Sequence, residues 1–173
     1  STMSFSGKHI IVTGGAKGIG RACALTFLND GATVSVLDTM QPDLDAPGLF
    51  YFKADVSREE AVRDSLTEAI ARSGEIDVLI NNAGLALGRH YSEEAELADW
   101  ETMIDTNLKG LLYVTKAALP FMTPNKQGHI INIGSTAAKD VYEKGNVYCA
   151  TKAAVDSISK GMRIDLLRHN IKV

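Results

Sequence analysis

Short apolar runs alternate with amphipathic stretches along the whole chain. The first run ends in a glycine-rich turn, Thr13-Gly-Gly-Ala-Lys-Gly-Ile-Gly20. That alternation constrains the fold more than any other feature, because parallel strands need a crossover, usually a helix, between them. It predicts an α/β architecture: a doubly wound parallel sheet with helices on both faces, in three αβα layers. Strands are expected at 9–13, 32–37, 50–53, 76–80 and 129–133, and helices at about 19–29, 57–72, 94–122 and 147–168. Pro42 and Pro47 make the connection 38–49 a loop rather than a helix. Ser57 with Glu60 has capping-box spacing, and Gly74 is placed to close the same helix. The long helix is expected to bend near Asn107-Leu-Lys-Gly110.

Length and composition narrow the function classes. With 173 residues, 45% of them hydrophobic, the chain fits one globular domain over 1–173. A formal net charge of -3 and the lack of any Lys/Arg run argue against a nucleic-acid partner. Cys23 and Cys149 are isolated thiols and the four histidines show no ligand spacing, so no metal site is expected and a reducing, cytoplasmic setting is. No apolar stretch approaches ~20 residues, so no membrane partner is expected. Ser1 and Thr2 read as a remnant ahead of a natural start at Met3. Ile171-Lys-Val173 reads as the opening of a sixth strand, so the sheet is expected to be truncated there and to lack a C-terminal substrate-binding segment.

Several motifs carry chemistry. Glycines 14, 18 and 20 let the backbone turn tightly and approach a pyrophosphate, which the following helix N-terminus stabilises. A plain βα turn has the same composition, so this pattern alone leaves both readings open. Asp38 closes the second strand, where a carboxylate accepts from ribose hydroxyls and repels a 2′-phosphate. Lys17 pulls the other way, as a cation beside the phosphate loop. Asp38 is weighed more heavily, which makes NAD the expected cofactor rather than NADP. Asp55 and Val56 follow the third strand, and Asn82, Ala83 and Gly84 follow the fourth, where open α/β sheets bind ligands. Tyr148 and Lys152 stand four apart, on one helix face. An ammonium so placed makes a phenol a more usable acid and base, although the same spacing is common on solvated helices.

Taken together, Thr13-Gly-Gly-Ala-Lys-Gly-Ile-Gly20, Asp55-Val56, Asn81-Asn-Ala-Gly84, Asn107, Ser135 and Tyr148 with Lys152 resemble the short-chain dehydrogenase/reductase family in its single-domain form. The resemblance implies a Rossmann-type sheet and an oxidoreductase moving a hydride between a nicotinamide cofactor and a small alcohol or carbonyl compound. Tyr148 would be the general acid/base, Lys152 would hold the nicotinamide ribose and tune the tyrosine, and Ser135 would fix the substrate oxygen. Asn107 would interrupt the long helix and anchor a water in a proton relay. Gly14, Lys17, Gly18, Ile19, Gly20, Asp38, Asp55, Val56, Asn82, Ala83 and Gly84 would bind cofactor, joined by Tyr148 and Lys152. Residues 81–146 are similar to the branch oxidising 3-hydroxy acids such as serine and allo-threonine, which prefers NADP and carries basic residues after its second strand. This chain has Leu37-Asp-Thr-Met40 there, closer to NAD-preferring members acting on sugars, polyols or assorted alcohols. The family also implies a homo-oligomer. A dinucleotide-binding member without catalysis, or an inactive incomplete chain, is the alternative.

Overall fold

Six parallel strands form one sheet in the order β3-β2-β1-β4-β5-β6 in the computed structural model, which describes residues 4–134 and 140–173. The elements are β1 (His9–Thr13), α1 (Gly18–Asn29), β2 (Thr33–Asp38), β3 (Leu49–Lys53), α2 (Glu59–Ser73), β4 (Val78–Asn81), α3 (Leu97–Met103), α4 (Gly110–Ala118), β5 (Gly128–Asn132), α5 (Asn146–Asp165) and β6 (Ile171–Lys172). Strand order reverses between β1 and β4, so the crevice at their carboxyl ends is the topological switch point.

Alternate residues of the central strands feed two cores. Ile10, Val12, Val34, Val36, Val78 and Ile80 face one way and pack under α1, against Ala24 and Phe27. Ile11, Leu37, Leu79 and Ile130 face the other way, under α2 and α4, with Leu66, Val114 and Ala118. Strands buried on both faces explain why the sequence shows apolar runs rather than alternation.

Two local expectations change. Residues 97–118 are one helical path, but Ile104–Lys109 winds as a π-helical turn rather than a simple bend. An inserted residue of this kind shifts the hydrogen-bond ladder without ending the helix. The Ser57–Glu60 capping box does not form: α2 begins at Glu59 and has no side-chain cap. Ser57 instead donates through its backbone N–H (3.0 Å) and its hydroxyl (2.7 Å) to Asp55 Oδ1. A turn-forming aspartate two residues upstream outcompeted the helix for that hydroxyl.

One polar pair is sealed between β1 and β2. His9 Nδ1 lies 2.9 Å from the Gly74 carbonyl, so it carries the proton, and Nε2 accepts from Ser35 Oγ at 2.6 Å. Burial pushes this imidazole below its ordinary value, with the Gly74 and Glu75 backbone and Asp77 pulling partly back. The unfolded chain therefore binds this proton more readily than the folded one. The stability this site contributes is complete above the unfolded value of 6.5 and is lost as the pH falls below it. Urea unfolding between about pH 8 and 5 should show a falling midpoint on the acid side, and His9→Asn should flatten it. Parallel profiles for the two proteins would contradict this.

Among the described residues, no helix is long and apolar enough to cross a membrane, and no group of His, Cys, Asp and Glu is arranged to hold a metal.

Candidate active site

The carboxyl ends of β1, β2, β3 and β4 open onto a groove of about 810 Å³. Of the residues expected to bind cofactor, Gly14, Lys17, Gly18, Ile19, Asp38, Asp55, Val56, Asn82, Ala83 and Gly84 line it. Gly20 lies behind the wall, where a side chain would collide with the Gly14 carbonyl and the Asn82 amide.

The ends of β1 and β4 are laced together. Thr13 Oγ1 accepts the backbone N–H groups of Asn82 and Ala83, each at 3.0 Å, and Asn82 Nδ2 donates to the Gly14 carbonyl at 3.0 Å. Gly14 runs so close that an added Cβ would lie 3.0 Å from Ala83 Cα. Gly18 has φ +60 and nothing within 4 Å of where its Cβ would be, so the loop bares backbone to the groove. The α1 N-terminus that follows has no side-chain cap and no acidic residue in its first turn. Its N–H groups and the positive end of the helix dipole are thus left for an anion, and this suits a dinucleotide pyrophosphate.

At the β2 end of the groove, Asp38 Oδ2 accepts the Ala16 N–H and Oδ1 accepts the Met40 N–H, both at 3.0 Å. One carboxylate oxygen fastens the glycine turn after β1 and the other the turn after β2. Lys17 is exposed on the same groove. Met40, half exposed, and Thr39 also line it, and neither was singled out by motif.

At the other end, α5 brings Tyr148 and Lys152 together, with Lys152 Nζ 5.8 Å from the Tyr148 ring centroid. Burial lowers the Lys152 ammonium from its usual value. The Gly84 backbone connects this pair to the groove: a Cβ there would lie 3.5 Å from Lys152 Nζ and 3.3 Å from Asn107 Oδ1. Asn107, 2% exposed in the π-helical turn, has its whole amide engaged. Oδ1 accepts the Leu85 N–H at 2.8 Å, while Nδ2 donates to the Leu85 carbonyl at 2.8 Å and to Thr151 Oγ1 at 3.2 Å. One turn earlier, Met103 Sδ accepts the Leu87 N–H at 3.4 Å. The bonding roles of Thr13, Met103 and Thr151 have no signal in the sequence, because the partners are distant in the chain and no spacing announces them. Ser135 lies outside the described residues.

A doubly wound sheet with a phosphate-ready glycine turn at its switch point and a Tyr–Lys pair beside it defines the class of dinucleotide-dependent oxidoreductases. The short chain dehydrogenase family model matches residues 8–173, and the chain belongs to that family. It is 43% identical over 170 residues to the NADP-dependent 3-hydroxy acid dehydrogenase YdfG of Escherichia coli K12, covering 95% of this chain and 68% of that protein. The crystal structure of serine dehydrogenase from Escherichia coli superposes with a TM-score of 0.86 at 43% identity, covering 91% of this chain and 76% of that one. A closed form of serine dehydrogenase complexed with NADP+ gives 0.87 at the same identity, covering 91% and 66%.

The expectation of NAD does not stand. Relatives 43% identical to this chain over 170 aligned residues are NADP-dependent by name, and one solved neighbour holds NADP+. By sequence, Asp38 is weighed as an acceptor for ribose hydroxyls that repels a 2′-phosphate. In the structure that carboxylate already accepts two backbone N–H groups, which offset part of its charge, while Lys17 offers a cation to the same groove.

Proposed function

We propose that this chain carries the active site of an NADP-dependent dehydrogenase that oxidises a 3-hydroxy acid to the 3-oxo acid, and reduces it in reverse. The observation that carries the reading is the meeting of Lys152, Asn107 and Gly84, which sets Tyr148 beside the wall of the dinucleotide groove. The similarity to 3-hydroxy acid and serine dehydrogenases supports the substrate class.

In this reading the uncapped α1 N-terminus and Gly18 hold the pyrophosphate, and Lys17 takes the 2′-phosphate. Asp55 and Val56 border the adenine, while Asn82, Ala83 and Gly84 pass beneath the nicotinamide half. When bound, the nicotinamide supplies or accepts the hydride. Tyr148 takes the hydroxyl proton as the carbonyl forms and returns it in the reverse direction. Lys152 holds its charge in a partly desolvated place, which strengthens its pull on a developing phenolate and on the ribose hydroxyls. Ser135 is assigned the substrate oxygen on motif alone. Asn107 acts as a clamp: its amide is used up by Leu85 and Thr151, so a relay water would have to bind its backbone carbonyl. Exposed Leu112 on α4 and Ile164 on α5 favour a homo-oligomer, and the two free thiols favour a reducing, cytoplasmic setting.

The test is NADPH formation from NADP+ and a panel of 3-hydroxy acids beside matched alcohols without the carboxylate. Turnover confined to the acids is the expected result. Turnover of the plain alcohols alone would overturn the substrate class, and no turnover of either would overturn the activity.

A further inference from the structure

Resting on that assignment of Tyr148, we infer that Thr151 is a positioning residue that sets the tyrosine against the dinucleotide groove. Thr151 is 3% exposed in the first turns of α5. Its hydroxyl donates to the backbone carbonyl of Tyr148 at 2.7 Å, and its oxygen accepts Asn107 Nδ2 at 3.2 Å. A threonine bonding back to the carbonyl three residues earlier is ordinary helix chemistry and by itself says nothing about function. Here the same oxygen takes a second bond from an asparagine whose other bonds grip both backbone groups of Leu85, at the rim of the groove. The oxygen therefore joins the π-helical turn to the helical turn that displays Tyr148 and Lys152, and through the Asn107 amide both are tied to the backbone following β4.

The brace is sensitive because, among the described residues, Asn107 Nδ2 bonds only to the Leu85 carbonyl and Thr151 Oγ1. Asn107 is buried, so an Nδ2–H that loses Thr151 has no water to turn to. The amide must then rotate away from Leu85 or draw the α5 turn after it. Either movement changes the separation between the tyrosine and the cofactor wall. Thr151 lies directly before Lys152, so the same displacement reaches the ammonium.

The experiment compares wild type, Thr151→Ser and Thr151→Val by kcat, KM, NADPH affinity and Tm. The NMR ring resonance of Tyr148, assigned through Tyr148→Phe, is followed in parallel. Thr151→Val keeps the shape but loses the hydroxyl, and should lower kcat by about tenfold. A full 1 Å misplacement costs about 10²-fold, and this one is smaller. KM and NADPH affinity should change little, and the Tyr148 resonance should shift. Thr151→Ser keeps the hydroxyl and should restore most of kcat with a wild-type resonance. An unchanged kcat in Thr151→Val overturns the inference, and so does an equal fall in the serine variant. If wild type turns over no substrate, the function proposed above fails. The resonance then decides the brace alone: a shift confined to Thr151→Val supports it, and no shift overturns it.

Discussion

Tyr148→Phe is expected to lower kcat by about 10²–10⁴-fold, the usual contribution of a positioned general acid/base. NADPH affinity should stay close to wild type. The two outcomes separate because the substitution removes one oxygen and keeps the ring. The Lys152 ammonium, 5.8 Å from the ring centroid, keeps its aromatic neighbour. In the proposed reading the cofactor rests mainly on elements that Tyr148 does not support: the uncapped start of α1, the Thr13 lacing and the Gly84 wall. Single-turnover hydride transfer measured beside NADPH fluorescence titration would check both halves. A parallel loss of binding and turnover would make the tyrosine a structural residue. Retained turnover would move the proton transfer to another group.

What the sequence displayed and what it concealed follow from the range of the interactions. The glycine turn, Asn82 to Gly84, and the Tyr148–Lys152 pair are local patterns, each readable from a few neighbouring residues. Their position at strand ends followed from the apolar runs beside them. Thr13 is different: it looks like the last residue of a strand, yet its hydroxyl takes two N–H groups 69 and 70 residues away. Met103 reads as core packing and is also an acceptor for the Leu87 backbone. Thr151, between Tyr148 and Lys152, becomes notable only once Asn107 is folded onto it. Ser57 shows the reverse case, a good local signal overruled by a closer partner, Asp55. Asp38 belongs with Ser57: its position was legible and the bonds that occupy its oxygens were not.

Lys17 and Asp38, at the β2 end of the groove, are the sharper test of cofactor choice. Lys17→Ala is expected to weaken NADPH binding by about 10- to 100-fold, since a bond to a charged group contributes about 1.5–3 kcal/mol. NADH binding should barely change, because only NADPH carries the 2′-phosphate. The loss should shrink as salt rises, as an exposed ion pair requires. Asp38→Asn should act in the opposite direction and tighten NADPH. Its amide oxygen can keep one backbone bond, from Ala16 or Met40, while the charge facing the phosphate disappears. If the aspartate mainly fastens the turns, Asp38→Ala should lose that gain through a loosened loop, although it removes the same charge. Tighter NADPH binding in both variants would mean that repulsion alone matters. An unchanged NADPH affinity in Lys17→Ala would place the 2′-phosphate elsewhere in the groove, with Thr39 and the N–H groups around Met40 as the next donors to examine.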